Sequence, residues 1–100
     1  MNDAIEELRR RLSGETGKLG WTELERHFAR GVLVKVGPGL NLVEVAAAMI
    51  RDDKAAVESW LASGRIARVS TEDAVAWNAR RPEIWAVVTA PWVLVQEITQ

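Results

Sequence analysis

The chain has 100 residues and a formal net charge of -1, with 48% hydrophobic and 27% charged residues. These values are typical of one globular domain, which at this length can bury a core without disulfides or metals. The near-zero charge gives no overall attraction to DNA or anionic membranes, and the lack of cysteine excludes disulfides, thiolate nucleophiles and cysteine-bound metals.

The N-terminal segment indicates the cellular compartment. Residues 1–7 are acidic, whereas a secretory signal peptide begins with positive charge and continues into an apolar run. No apolar run approaches the roughly 18 residues that a membrane span needs. We therefore expect a cytoplasmic protein that does not enter the membrane.

The first half of the chain is predicted to form three helices and one strand. A helix over residues 3–12 precedes a polar loop, and a second helix begins at Thr22, which forms a capping box with Glu25. Gly31 ends that helix, and a β-branched strand follows over residues 32–36. After a glycine–proline turn, Asn41 and Glu44 form the capping box of the third helix.

The second half is predicted to form two more helices and three strands. Asp53 caps the fourth helix, Gly64 ends it, and a short strand follows at residues 66–69. Ser70 and Asp73 begin the fifth helix, over residues 71–80. Strands at 84–88 and 92–97 then form a C-terminal β-hairpin. Both strands are apolar on both faces, which places them in the middle of a sheet or against a second subunit.

Residues 28–36 and 61–69 repeat one pattern: the last turn of a helix, a glycine, and a strand with a basic residue at the same place. The repetition predicts an α–β–α internal pseudo-repeat. The fold class is therefore α+β, a single small domain over residues 1–100. We expect about five short helices in one layer on one face of a small sheet.

Residues 43–69 also resemble a helix-turn-helix, which makes a DNA-binding regulator the second functional hypothesis. Two features disfavour it: Arg51 occupies the usual glycine position of the turn, and the basic residues of the segment are balanced by acidic ones. A module without net positive charge neutralises few phosphates and binds duplex DNA poorly. The candidate DNA contacts are Lys54, Ser59, Arg65 and Arg68.

Enzymatic chemistry is the third hypothesis. His27 is the only histidine, and no serine or carboxylate is spaced to form a triad with it. Asp52, Asp53 and Glu58 lack the spacing of a calcium loop, and helix capping and solubility explain them. We predict no catalytic, cofactor-binding or metal-binding residue and no cofactor, which leaves only an unrecognised carboxylate site.

Tryptophan is unusually common, with five residues beside one phenylalanine. Such side chains serve as large core fillers or as interface residues. Two of them lie on the apolar C-terminal hairpin, whose last strand carries little edge protection beyond Glu97. We therefore expect a protein interface on this hairpin, either with another protein or as a homodimer formed by strand-edge pairing. The candidate interface residues are Trp85, Trp92 and Leu94.

Five segments together resemble a family of small bacterial proteins catalogued as a domain of unknown function. The resemblance covers nearly the whole chain, from about Leu8 to Gln96. It implies a stand-alone bacterial cytosolic protein and supplies no activity, cofactor or site. The segments are Gly20–Leu24, Asn41–Ala46, Asp52–Lys54, Val57–Gly64 and Pro91–Gln96.

These observations favour a small bacterial cytosolic protein that acts as a binding module over one that acts as an enzyme. The expected function is protein interaction or self-association through the C-terminal hairpin.

Overall fold

The computed structural model describes residues 3–98, which form five helices and one five-stranded sheet in a single domain. The helices are α1 (Asp3–Glu15), α2 (Trp21–Ala29), α3 (Leu42–Ile50), α4 (Lys54–Ala62) and α5 (Thr71–Arg80). The strands are β1 (Gly17–Leu19), β2 (Leu33–Val36), β3 (Ile66–Arg68), β4 (Ile84–Thr89) and β5 (Trp92–Glu97). The α+β prediction is confirmed.

The strand order is β1-β4-β5-β2-β3, so the C-terminal hairpin of β4 and β5 lies in the interior of the sheet. β5 pairs with β2 in parallel, and the other neighbours are antiparallel. The central position explains why both strands are apolar on both faces. The predicted edge pairing through β5 is wrong because β4 and β2 already occupy both of its edges.

Helices cover both faces of the sheet, so the prediction of one helical layer is wrong. α1, α3 and α4 lie on one face, where their core includes Leu12, Val45 and Leu94. α2 and α5 lie on the other face, where Trp21, Trp77 and Val95 are buried. We call these the α1/α3/α4 face and the α2/α5 face. Hydrophobic pattern alone does not reveal on which side of the sheet each helix packs.

The repeated segments share local geometry. Gly31 and Gly64 each end a helix with positive φ, at 74° and 76°, a conformation that favours glycine. The preceding helices α2 and α4 nevertheless lie on opposite faces of the sheet. The repeat therefore describes how each helix ends and leads into a strand.

Three of the predicted helix caps are confirmed. Asn41 Oδ1 accepts from the Glu44 amide at 3.2 Å, and Asp53 Oδ1 accepts from the Ala56 amide at 3.3 Å. Ser70 and Asp73 form the predicted reciprocal capping box, with both bonds at 3.0 Å. These caps fix the starts of α3, α4 and α5.

Two predicted capping partners are wrong. The Glu44 side chain accepts from the Arg9 guanidinium, with Arg9 Nε 2.6 Å from Oε2, and does not return to Asn41. The N-cap of α2 is Gly20, whose amide donates to Glu23 Oε1 at 3.0 Å. Thr22 lies inside the helix, one residue after its start.

Other differences follow from tertiary contacts. α1 continues to Glu15, and the expected polar loop contains β1, which forms because it pairs with Ile84–Ala86 of β4. Three large apolar residues on helices are exposed: Ile50 at 42%, Leu61 at 52% and Val75 at 65%. Between residues 3 and 98, no helix combines the length and apolarity needed to cross a membrane.

Candidate functional site

A groove of about 460 Å³ lies where the α3–α4 turn meets the β4–β5 turn, and we call it the turn–turn groove. It belongs to the α1/α3/α4 face. Its volume is within the range of about 300–1,000 Å³ found for ligand sites in proteins. Its lining is mixed: Met49, Ile50, Val57, Ala90, Pro91 and Trp92 are apolar, and Asp52, Asp53, Lys54, Glu58 and Thr89 are polar.

The α3–α4 turn forms one wall and supplies most of its charge. Asp52 adopts φ 59°, a left-handed conformation that aspartate tolerates. The next residue, Asp53, caps α4 and also accepts from Arg51 Nη2 at 3.3 Å, so its charge is used within the fold. Asp52 and Glu58 are exposed and have no ion-pair partner in the part of the chain that the structure describes.

The β4–β5 turn forms the other wall. Thr89 pairs with Trp92, which leaves Ala90 and Pro91 as a two-residue turn joined by a cis peptide bond. The Arg68 guanidinium lies 5.2 Å from the centroid of the Trp92 ring, a cation–π contact. Arg68 Nη2 also donates to the Gly31 carbonyl at 2.6 Å. These contacts hold the half-buried ring in place at the groove.

Thr89 is the unusual residue of the groove. Only 5% of it is exposed, and its Oγ1 has no hydrogen-bond partner among residues 3–98. An unpartnered buried hydroxyl costs about 1–3 kcal/mol, and most buried polar atoms are paired. No contact within the fold explains a hydroxyl at this position, and because neighbouring atoms cover Oγ1, a group in the groove reaches it only after a local shift of the turn.

The interface candidates do not form one surface. Leu94 is completely buried beneath α3, so a partner cannot reach it and its prediction as an interface residue is wrong. Trp85 pairs with Gln96 near one end of the hairpin, under the Lys18 ammonium at 5.3 Å. Trp92 lies at the opposite end, some four residues or about 13 Å away along the strand. Only Trp92 belongs to the groove.

The DNA-contact candidates also diverge. Lys54 lines the groove, whereas Ser59 is five residues further along α4 and therefore about 140° around the helix. Arg65 is exposed beyond the end of α4, and the guanidinium of Arg68 contacts Trp92. Lys35, a possible addition to a basic patch, binds Asp73 at 2.8 Å on the α2/α5 face. The structure does not gather these cations on one face.

Two carboxyl groups have lowered pKa values, and both lie on the α2/α5 face. Burial raises the pKa of Asp73, but hydrogen bonds from Lys35 and Ser70 outweigh it and hold this pKa below its usual value. The Arg80 guanidinium lowers the pKa of Glu97, which also accepts from Trp77 Nε1 at 3.3 Å. Both groups act as structural ion-pair partners outside the groove.

His27 does not belong to the groove either. It is half-buried on α2, and its Nδ1 has no hydrogen-bond partner within residues 3–98. Across the described residues, no three histidine or carboxylate side chains gather as a possible metal site.

Of the groove residues, Trp92 and Lys54 were predicted from the sequence as contact residues, whereas Thr89, Ile50 and the role of Asp52 were not. The sequence does contain a signal for Thr89. Thr89 is the only polar residue between Ile84 and Val95. At a position surrounded by apolar residues, packing favours an apolar side chain. A single hydroxyl there indicates that something other than packing determines the residue.

Comparison with known proteins gives a consistent family assignment. The chain is similar to the NMR solution structure of PA1075 from Pseudomonas aeruginosa, with 42% sequence identity and a TM-score of 0.82. The similarity covers 100% of this chain and 93% of that chain. No curated protein matches the chain. The family model described as "Protein of unknown function (DUF2288)" matches residues 7–97, and the chain therefore belongs to that family, as the resemblance read from the sequence indicated.

Proposed function

We propose that the protein is a non-enzymatic interaction module that binds a segment of a partner protein in the turn–turn groove. The observation that carries this proposal is the buried, unpartnered hydroxyl of Thr89 at an otherwise apolar wall. Similarity to a Pseudomonas protein supports a bacterial setting. A cytoplasmic location stays a prediction from the sequence.

The composition of the groove fits a protein segment. Ile50 is 42% exposed at its rim, and Trp92 and Pro91 line the facing wall, so a bound side chain would remove apolar surface from water. Thr89 adds one hydroxyl that both donates and accepts hydrogen bonds. Apolar walls with a few polar groups are characteristic of binding sites.

The same residues give little support to catalysis. A serine or threonine nucleophile needs an adjacent base that removes its proton. Thr89 Oγ1 has no such partner in residues 3–98, and the sole histidine lies on α2, across the sheet. The groove therefore supports binding better than covalent chemistry.

The alternative occupant of the groove is a second copy of the chain. β5 offers no free edge for the strand pairing expected from the sequence, whereas β1 and β3 are the edge strands of the sheet. To occupy the groove, a second copy would insert one of its own surface segments. Sedimentation of the purified chain across a range of concentrations separates this case from a distinct partner.

The test begins with selection of binders from a random peptide library on the full chain, followed by NMR titration of the selected peptides. We expect Ile50→Asn to weaken binding about tenfold or more, because it places a polar amide where apolar contact is needed and leaves the charge of the groove unchanged. Leu61→Asn is the matched control, since Leu61 is similarly exposed at 52% but lies outside the groove.

Two results would contradict the proposal. One is equal binding of the selected peptides to both variants. The other is chemical-shift changes that map to the Trp85 end of the hairpin instead of to the groove.

A further inference from the structure

We infer that the turn–turn groove selects a segment that carries a lysine or arginine beside an apolar side chain. This inference rests on the proposed function and specifies the chemistry of its partner. It depends on three features of the groove: the charge of its rim, the state of the α4 N-terminus and the position of Thr89.

The rim is acidic. Asp52, Asp53 and Glu58 line the groove with a single cation, Lys54. Asp53 is neutralised by Arg51 at 3.3 Å, but Asp52 and Glu58 have no ion-pair partner in residues 3–98. Two free carboxylates against one ammonium favour a cationic group over an anionic one.

The N-terminus of α4 is the feature that would favour an anion, and two of its amides already have partners. Its partial positive charge comes from backbone amides that lack intrahelical partners. Asp53 Oδ1 accepts from the Ala56 amide at 3.3 Å, and the Lys54 amide donates to the Asp52 carbonyl at 2.9 Å. An incoming anion would therefore compete with a carboxylate that caps the helix.

The deeper part of the groove determines where the apolar part of the segment lies. The Trp92 ring already has a cation, Arg68, as its cation–π partner. We therefore expect the part of the ring that lines the groove to offer apolar contact. Beside it, the Thr89 hydroxyl can bond a backbone amide or carbonyl once a local shift of the turn uncovers it. An apolar side chain would thus lie between Ile50 and Trp92, while a neighbouring cation reaches Asp52 and Glu58.

The experiment uses the peptides selected on the full chain and their charge analogues. In each peptide, lysine and arginine are replaced by glutamine, and affinities are measured at low and moderate salt. We expect basic peptides to dominate the selection, the glutamine analogues to bind about three- to tenfold more weakly, and salt to reduce only the affinity of the basic forms.

The matching change in the protein is the double variant Asp52→Asn with Glu58→Gln. Asparagine tolerates the left-handed conformation of residue 52, so the turn is preserved. We expect this variant to bind basic peptides about three- to tenfold more weakly and the glutamine analogues unchanged. Glu72→Gln, at an exposed carboxylate on α5, is the control and should leave both affinities as they are.

The outcomes separate the two proposals. Selection of neutral or acidic peptides, or a double variant that binds basic peptides normally, would overturn the charge preference. If Ile50→Asn still removed binding in that case, the proposed function would stand. If no selected peptide bound the groove, both proposals would fail.

Discussion

The two faces of the sheet differ in how completely they are closed. On the α2/α5 face, Trp21 and Trp77 are 4% and 3% exposed, and their rings meet edge to face at 6.1 Å. Its ionic groups are paired: Lys35 binds Asp73, and Glu97 accepts hydrogen bonds from both Trp77 and Arg80. His27 Nδ1 on α2 is the exception, a buried atom without a partner in residues 3–98.

The α1/α3/α4 face is closed at its centre and open at one end. Val45 of α3 and Leu94 of β5 beneath that helix are fully buried, whereas α4 has no buried residue at all. At the open end, Thr89 is buried without a hydrogen-bond partner, and Ile50 is exposed. These groups, which folding leaves unsatisfied, are the ground on which we propose a binding function.

The largest loss of stability should come from a substitution on the α2/α5 face. Trp77→Ala removes a fully packed ring from the core, and we expect the free energy of unfolding to fall by about 3–5 kcal/mol. Val57→Ala, on the half-buried side of α4, should cost only about 1 kcal/mol. Denaturant unfolding measures both losses, and a loss below about 1 kcal/mol in Trp77→Ala would contradict the tight packing of this face.

The ion pairs of the closed face predict a pH dependence. The pKa values of Asp73 and Glu97 are lower in the folded chain than their usual values. Their stabilisation is therefore complete above about pH 4–5, where both groups are ionised even in the unfolded chain, and is lost as pH falls through the folded pKa values.

Asp73→Asn tests this pH dependence of stability directly. The variant removes a carboxylate that pairs with Lys35 and caps α5, so we expect a loss of about 1–2 kcal/mol at neutral pH. The loss should shrink toward acid pH, because the wild-type carboxyl is then protonated. Unfolding curves at several pH values measure it, and a loss that is constant with pH would refute the ion-pair explanation.

The smallest effect concerns DNA. Because Lys54, Arg65 and Arg68 lie apart, we expect no salt-dependent binding of a labelled mixed-sequence duplex in fluorescence anisotropy. Lys54→Ala should leave that signal unchanged. Affinity that falls steeply with salt and weakens in Lys54→Ala would instead favour the helix-turn-helix hypothesis.

Sequence predicted best what local chemistry determines. Asn41, Asp53 and Ser70 cap helices, and Gly31 and Gly64 end them, because these residues act on neighbouring backbone groups. The apolar character of β4 and β5 on both faces was likewise visible, and it correctly allowed a position in the middle of the sheet.

Sequence failed where distant segments meet. β1 is only three residues long and forms because β4 offers it an edge, and the side of the sheet on which α2 and α4 pack has no local signature. The groove joins Asp52 to Trp92, forty positions apart in the chain. No spacing rule connects two such turns, so the site emerged only from the tertiary structure.

The most direct test of the central claim is the free energy of unfolding of Thr89→Val. If the hydroxyl is unpartnered within the fold, a methyl of the same shape should leave stability unchanged or raise it by about 1 kcal/mol. Val87→Thr, on the same face of β4, is the control and should cost about 1–3 kcal/mol. A loss of more than about 1 kcal/mol in Thr89→Val would show that the hydroxyl is bonded inside the protein and is not reserved for a partner.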